Sequence, residues 1–162
     1  MAATVQIVEK NGAGGTQTDK TSGSIRFKNA DNSTVDLVNP MVKPVSGTDY
    51  SFEKWLRLNV TGTYSQITNA RMYTDGANGM GTGIGLYAKA VATYATPAEA
   101  TATTGYTDAF TYTSGSPLSL GAGPFTGTGE KGDHAVLMCT VADTASQGVT
   151  PSETLTFGWD EI

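Results

Sequence analysis

The sequence predicts an all-β protein built as an antiparallel β-sandwich, with a jelly roll as the specific topology and an N-terminal extension. Only 15% of the 162 residues are charged, against roughly 25% in an average domain. Apolar residues alternate with polar ones along most of the chain, as they do in half-buried strands. Clusters of Gly, Asn, Asp, Ser and Pro separate these runs at the spacing typical of sandwiches and barrels.

The length of 162 residues fits one domain with a single core. The polar, Gly-rich residues 1–22 are predicted to form an N-terminal arm, flexible in the free protein. Residues 23–162 are predicted to form the single sandwich domain. The N-terminus carries no basic stretch followed by an apolar run, so we expect no signal peptide.

Nine or ten short strands are expected. The runs that alternate with a period of two, or are apolar throughout, lie at residues 5–7, 25–27, 35–37, 52–60, 67–73, 83–94, 110–112, 118–120, 135–141 and 155–159. Since no helical crossovers separate these runs, the sheets should be antiparallel. A short helix is predicted only over residues 96–102, where Thr96 would cap it and Pro97 would take its first position.

Trp55 falls on the polar side of the strand at residues 52–60, so a loop or a partner is expected to cover that face. Tyr73, Tyr87 and Tyr94 likewise fall on faces predicted to be exposed. Such aromatic side chains can bind sugars, anchor protein interfaces or simply complete a second core, and all three interpretations stay open.

Candidate catalytic chemistry is sparse, because the chain has one histidine and one cysteine. His134 begins an apolar strand, where a solvent-facing imidazole beside a turn is expected. Cys139 is expected to be a buried, inert thiol on the opposite face. The acidic residues form no recognisable pair for glycoside hydrolysis. We therefore predict no catalytic residues and no cofactor.

The loop at residues 75–79 (DGANG) carries oxygen ligands at a spacing that could start a calcium loop, but it lacks the glycine and closing glutamate of an EF-hand. A turn explains it better, and no metal site is predicted. Residues 79–85 (GMGTGIG) match no phosphate-binding pattern and precede a strand.

The basic residues give no sign of a nucleic-acid surface. The net charge is −5, and the nearest basic pairs, Arg26 with Lys28 and Lys54 with Arg57, are expected to lie on solvated strand faces. No apolar run is long enough to span a membrane as a helix.

Four stretches together resemble small virion structural proteins of tailed phages and prophages, some of which are capsid cement or decoration proteins. They are residues 50–58 (YSFEKWLRL), 67–76 (ITNARMYTDG), 81–87 (GTGIGLY) and 150–162 (TPSETLTFGWDEI). The resemblance runs from about residue 20 to residue 162 and rests on the order and character of these stretches.

This resemblance implies a non-enzymatic β-sandwich on the capsid surface of the virion. Its partners would be the major capsid protein and copies of itself in a homo-oligomer, with no nucleic acid and no membrane. It would be made in the bacterial cytoplasm, and the arm at residues 1–22 would become ordered on the particle. A tail or neck component, and a carbohydrate- or receptor-binding sandwich, are the alternatives.

Overall fold

The computed structural model describes residues 2–162 and contains ten β-strands and one short 3-10 helix. The strands are β1 (Thr4–Asn11), β2 (Thr16–Asp19), β3 (Thr48–Tyr50), β4 (Lys54–Thr61), β5 (Ile67–Tyr73), β6 (Ile84–Val91), β7 (Thr107–Asp108), β8 (Leu118–Ser119), β9 (Gly129–Ala142) and β10 (Thr156–Glu161). The 3-10 helix spans Ala109–Thr111, and the Asp108 side chain caps it by accepting a hydrogen bond from the Phe110 amide.

The strands form two antiparallel sheets. The larger has seven strands in the order β2-β1-β4-β9-β6-β7, with β3 paired to β9, and the smaller has three in the order β10-β5-β8. The long strand β9 lies at the centre, between β4 and β6. Residues 135–140 of β9 are all buried, as expected of a strand that is apolar on both faces.

The two sheets pack face to face, which confirms the predicted β-sandwich. One buried cluster joins Leu56, Leu58, Leu86 and Leu137 of the larger sheet to Met72 of the smaller sheet. Each of these side chains contributes about 1.5–3 kcal/mol when it is fully buried. A jelly roll has eight strands, and with seven strands in one sheet and three in the other that finer assignment remains a prediction.

Within the described residues, the segment predicted to be an N-terminal arm is part of the larger sheet. Strand β1 pairs with β4 in continuous register from Thr4 to Lys10, and β2 pairs back onto β1. The Gly-rich stretch that indicated flexibility is the hairpin turn, in which Gly12 and Gly15 adopt positive φ. The arm prediction is therefore wrong for residues 4–19, and Met1 lies outside the described residues.

Residues 20–47 contain no regular strand, although two were predicted there. The one β-type pairing within this stretch is an isolated bridge between Lys28 and Pro40. Several backbone groups of this stretch bond to side chains instead of a neighbouring strand, as when the Lys20 ammonium donates to the Ser33 carbonyl at 2.6 Å. These bonds hold residues 20–47 as an ordered but irregular layer.

The predicted helix at residues 96–102 is also absent. The chain is extended there and bridges Phe52 through Glu99, with backbone hydrogen bonds from Glu53 to Ala98 and from Ala100 to Ser51. A helix of seven residues is too short to form without strong tertiary support, and pairing with the residues that precede β4 takes its place. Among the described residues, no helix has the length and apolar character needed to cross a membrane.

Candidate protein-interaction surface

A groove of about 970 Å³ lies between the sheets, where the three-stranded sheet stops covering the inner face of the seven-stranded one. Val5 and Ile7 of β1 and Leu56 of β4 line it from the larger sheet, and Phe157 and Trp159 line it from β10. The groove follows from the unequal strand numbers, because three strands cannot cover the inner face of seven. It exposes apolar surface that a complete sandwich would bury.

The edge of the groove is formed by residues 35–45, which we call the apolar segment. Its side chains are unusually exposed for their type: Val35 51%, Leu37 69%, Val38 61%, Val42 61% and Val45 103%. Val149, exposed at 77%, lies on the loop that forms the other lip. Exposed apolar patches larger than a few hundred Å² on soluble proteins usually mark interaction sites.

Three lysines with largely or fully buried side chains hold the stretch that leads into the apolar segment. The Lys28 ammonium lies 2.5 Å from Asp36 Oδ1 and also donates to Asn32 Oδ1. The Lys54 ammonium donates to the Asn32 carbonyl at 2.6 Å, and Lys20 donates to the Ser33 carbonyl. We call these three side chains the lysine clamp.

The carboxylate of Glu9, which is fully buried, balances part of the clamp's charge. It accepts from Lys54 at 2.9 Å, and Lys20 lies 3.7 Å away. Unpaired buried charges are very costly, so these contacts fix the lysines and, through them, residues 32–36. The apolar segment thus starts from a fixed anchor.

The basic pairs of the sequence are placed differently from the prediction. Lys28 and Lys54 are buried in the clamp and do not lie on a solvated face. Arg57 is bonded to Glu130 at 2.9 Å.

Trp55 and His134 belong to a buried aromatic cluster on the outer face of the larger sheet. Trp55 is 3% exposed and His134 is fully buried. Tyr94 packs on both rings, with centroids 5.4 Å from Trp55 and 5.8 Å from His134. The expectation that a loop or partner covers the Trp55 face is therefore met by the chain that follows β6.

The predicted solvent-facing position of His134 is wrong. Its Nδ1 lies 3.1 Å from the Val91 carbonyl, which can only accept, so Nδ1 carries the proton. Nε2 has no hydrogen-bond partner among the described residues. Burial is the main reason that the pKa of this imidazole lies below its usual value, and the positive charges of Arg57 and Lys10 lower it further.

Cys139 is buried, as predicted, and packs with Ile84 and Ala145 on the inner face. Burial raises the pKa of its thiol to about 12, so the reactive thiolate is scarce at neutral pH.

The loop at residues 75–79 uses its side-chain oxygens within its own turns. Asp75 Oδ1 accepts from the Ala77 amide and Asn78 Oδ1 accepts from the Met80 amide. Across residues 2–162, no group of three or more His, Cys, Asp or Glu side chains is placed to hold a metal ion. The loop leads into β6, so the following glycines do precede a strand.

Glu53 is the meeting point of a second polar cluster. Its carboxylate accepts from Trp55 Nε1, Lys89 Nζ and the Tyr106 hydroxyl. Burial acts to raise the pKa of Glu53, but these three donors outweigh it and the pKa lies below its usual value. The cluster ties the chain before β7 to β4 and β6, so its role is structural.

Comparison of the chain with protein-family models, curated proteins and solved structures found no match. Function must therefore be inferred from the sequence resemblance and from the geometry above. The sequence did not predict the exposed apolar segment or the lysine clamp. The groups that bond to one another in the clamp are 4 to 45 residues apart in the chain, and no local pattern links them.

Proposed function

We propose that this chain is a structural protein of a tailed-phage particle, a cement or decoration protein that binds the capsid lattice. The observation that carries the proposal is the rigidly anchored apolar segment beside an open apolar groove. Such a surface suits contact with other protein molecules, because its side chains leave water only when a partner covers them.

The sequence resemblance supplies the kind of partner. Small virion proteins of this type join major capsid subunits to one another, so the partners would be the major capsid protein and further copies of the same chain. Binding of this sort relies on many modest contacts repeated over a lattice, where avidity replaces the affinity of any single site.

The carbohydrate-binding alternative loses its first candidate platform. A sugar platform needs an open aromatic face, and Trp55 is covered by Tyr94 and His134. The second tryptophan of the chain, Trp159, which could also serve as a sugar platform, is half-buried in the wall of the groove.

The test is co-sedimentation of the purified protein with capsids assembled from the major head protein, followed by cryo-electron microscopy. We expect ordered density at lattice two-fold or three-fold positions. Absence of the protein from the capsid pellet would contradict a cement role. Incubation with purified tails would then test the tail alternative, and a glycan array the carbohydrate alternative.

A matched pair of variants tests whether the apolar segment carries the binding. Val45→Asp places a charge on its most exposed side chain, whereas Ile162→Asp makes the same chemical change at a site that is 68% exposed and does not line the groove. We expect Val45→Asp to reduce capsid occupancy by at least about tenfold and Ile162→Asp to leave it unchanged. Equal losses would contradict a role for the segment.

A further inference from the structure

The apolar segment divides into two groups of side chains. Val35, Pro40 and Val42 line the groove of their own chain. Leu37, Val38 and Val45 do not line it and are 69%, 61% and 103% exposed. The second group therefore faces away from the groove that the segment borders.

The lysine clamp fixes the start of the segment in its place beside the groove. Asp36 is tied to Lys28, and the carbonyls of Asn32 and Ser33 are tied to Lys54 and Lys20. The groove and the outward-facing side chains are thus two unfilled apolar surfaces that lie side by side on one molecule.

We infer that a second copy of this chain covers both surfaces, with the apolar segment of each copy docked in the groove of the other. A two-fold axis beside the groove would place each segment over the partner's groove, so the same patch is used twice, as in an isologous dimer. The inference rests on the proposed function in that a lattice-binding protein gains avidity when its copies are joined. On this inference, Val45→Asp lowers capsid occupancy because it separates the two copies.

The available area fits a weak, reversible dimer. A fully exposed Val or Leu side chain presents roughly 100 Å² of apolar surface, so the outward-facing Leu37, Val38 and Val45 offer roughly 230 Å² per copy. With a similar area of groove lining, two copies would bury roughly 900 Å² of apolar surface in total, which is the size of the smaller, transient protein interfaces.

Order also favours a second copy. The clamp orders the start of the segment before docking, which lowers the entropy lost on association.

The experiment is sedimentation velocity of the full chain without capsids, from about 1 to 200 µM. We expect the wild type to reach twice its monomer mass of 16.8 kDa. Val38→Asp on the segment and Val149→Asp on the opposite lip should each weaken association by at least about tenfold. Ile162→Asp, the matched control, should dimerise like the wild type.

Each alternative outcome overturns the inference. If the wild type stays monomeric at 200 µM, the occupant of the groove is not a second copy but a segment of another protein or a small apolar molecule. Dissociation by Val38→Asp but not by Val149→Asp would mean that the segment docks outside the groove. An oligomer that no variant weakens, or that Ile162→Asp weakens equally, uses another surface.

Capsid binding separates this inference from the proposed function. A wild-type monomer that decorates capsids would refute the dimer and leave the function in place. A dimer that dissociates as described but never enters the capsid pellet would refute the function and leave the dimer in place.

Discussion

At the scale of single residues, Glu9 and Lys54 form an ion pair in the protein interior. Glu9 is fully buried and Lys54 is 1% exposed, with 2.9 Å between carboxylate and ammonium. The pair connects β1 and β4 to the irregular residues 32–36 through the Asn32 carbonyl. It therefore links the regular sheet to the interaction surface.

Lys54→Met is expected to lower the free energy of unfolding by about 3–5 kcal/mol, because it leaves the Glu9 carboxylate buried with Lys20, 3.7 Å away, as its remaining cation. The double variant Glu9→Leu with Lys54→Met should regain part of that loss, since the buried carboxylate is gone and only Lys20, whose side chain is 8% exposed, has lost its acidic partner. Urea unfolding of both proteins measures the difference. A double variant no more stable than the single one would contradict this account.

His134 makes stability depend on pH. Its folded-state pKa lies below the value of about 6.5 expected in the unfolded chain. The unfolded state therefore binds the proton first, and stability falls as the pH drops below about 6.5, by at most about 1.4 kcal/mol per pH unit. Protonation at Nε2 would place a charge where no acceptor is present among the described residues.

His134→Phe keeps a ring between Trp55 and Tyr94 but cannot titrate. We expect the free energy of unfolding of this variant to change little between pH 7 and 5, whereas that of the wild type decreases. Urea unfolding at half-unit pH steps makes the comparison. Carboxylates with lowered pKa values, such as Glu130, lose their contribution only at lower pH. Parallel curves for the two proteins would rule out His134 as the source.

At the scale of elements, the register shift in β9 depends on a glycine. The pairing of β9 with β4 shifts between Leu56 and Leu58, and Gly132 lies in this region with φ of +70°. A Cβ on Gly132 would stand 2.5 Å from the Leu120 carbonyl oxygen. The adjacent Asp133 amide donates to that same oxygen, so the two backbones cannot separate without losing a bond.

Gly132→Ala should therefore lower the free energy of unfolding by more than backbone strain alone would. Gly127, with φ of +68° and no atom within 4 Å of a Cβ, is the matched control. Gly127→Ala should lower the free energy of unfolding by about 1–2 kcal/mol because of its left-handed conformation. Gly132→Ala should lower it by about 1–3 kcal/mol more because of the steric conflict. Thermal or urea unfolding compares the two, and equal losses would contradict the steric argument.

The sequence correctly predicted the strands that have one or both faces buried in the sheet. Alternation from Leu56 to Val60, and the apolar run around Leu137, identified β4 and β9 because one or both faces of each are buried in the sheet. The same alternation at Val35 and Leu37 was misleading. An exposed apolar side chain gives the same alternation in the sequence as one that faces the core. The lysines whose hydrogen bonds hold this stretch, in place of pairing with a neighbouring strand, come from other parts of the chain.

At the scale of the whole molecule, stability is expected to be uneven. Strand β9 bonds to β4 on one side and to β6 on the other, whereas residues 40–46 lie outside every strand and are mostly exposed. Local opening should therefore require much less free energy in residues 40–46 than in β9.

Amide hydrogen exchange, read by mass spectrometry at a dilution where the protein is monomeric, should show rapid exchange at residues 40–46. Residues 135–141 should be the most protected. A rise in protein concentration should slow exchange in the apolar segment and leave β9 unchanged. Uniform protection across both regions would contradict the uneven stability inferred here.

The burial of Cys139 has a practical consequence for a labelling test of the proposed capsid binding. It is the one cysteine of the chain, and with a pKa of about 12 it forms almost no thiolate at the pH of maleimide coupling. A cysteine introduced at an exposed position outside the groove, such as Ile162, would then be the one site of labelling. A fluorophore or gold cluster attached there would report directly where each copy sits, without any need to remove the native thiol.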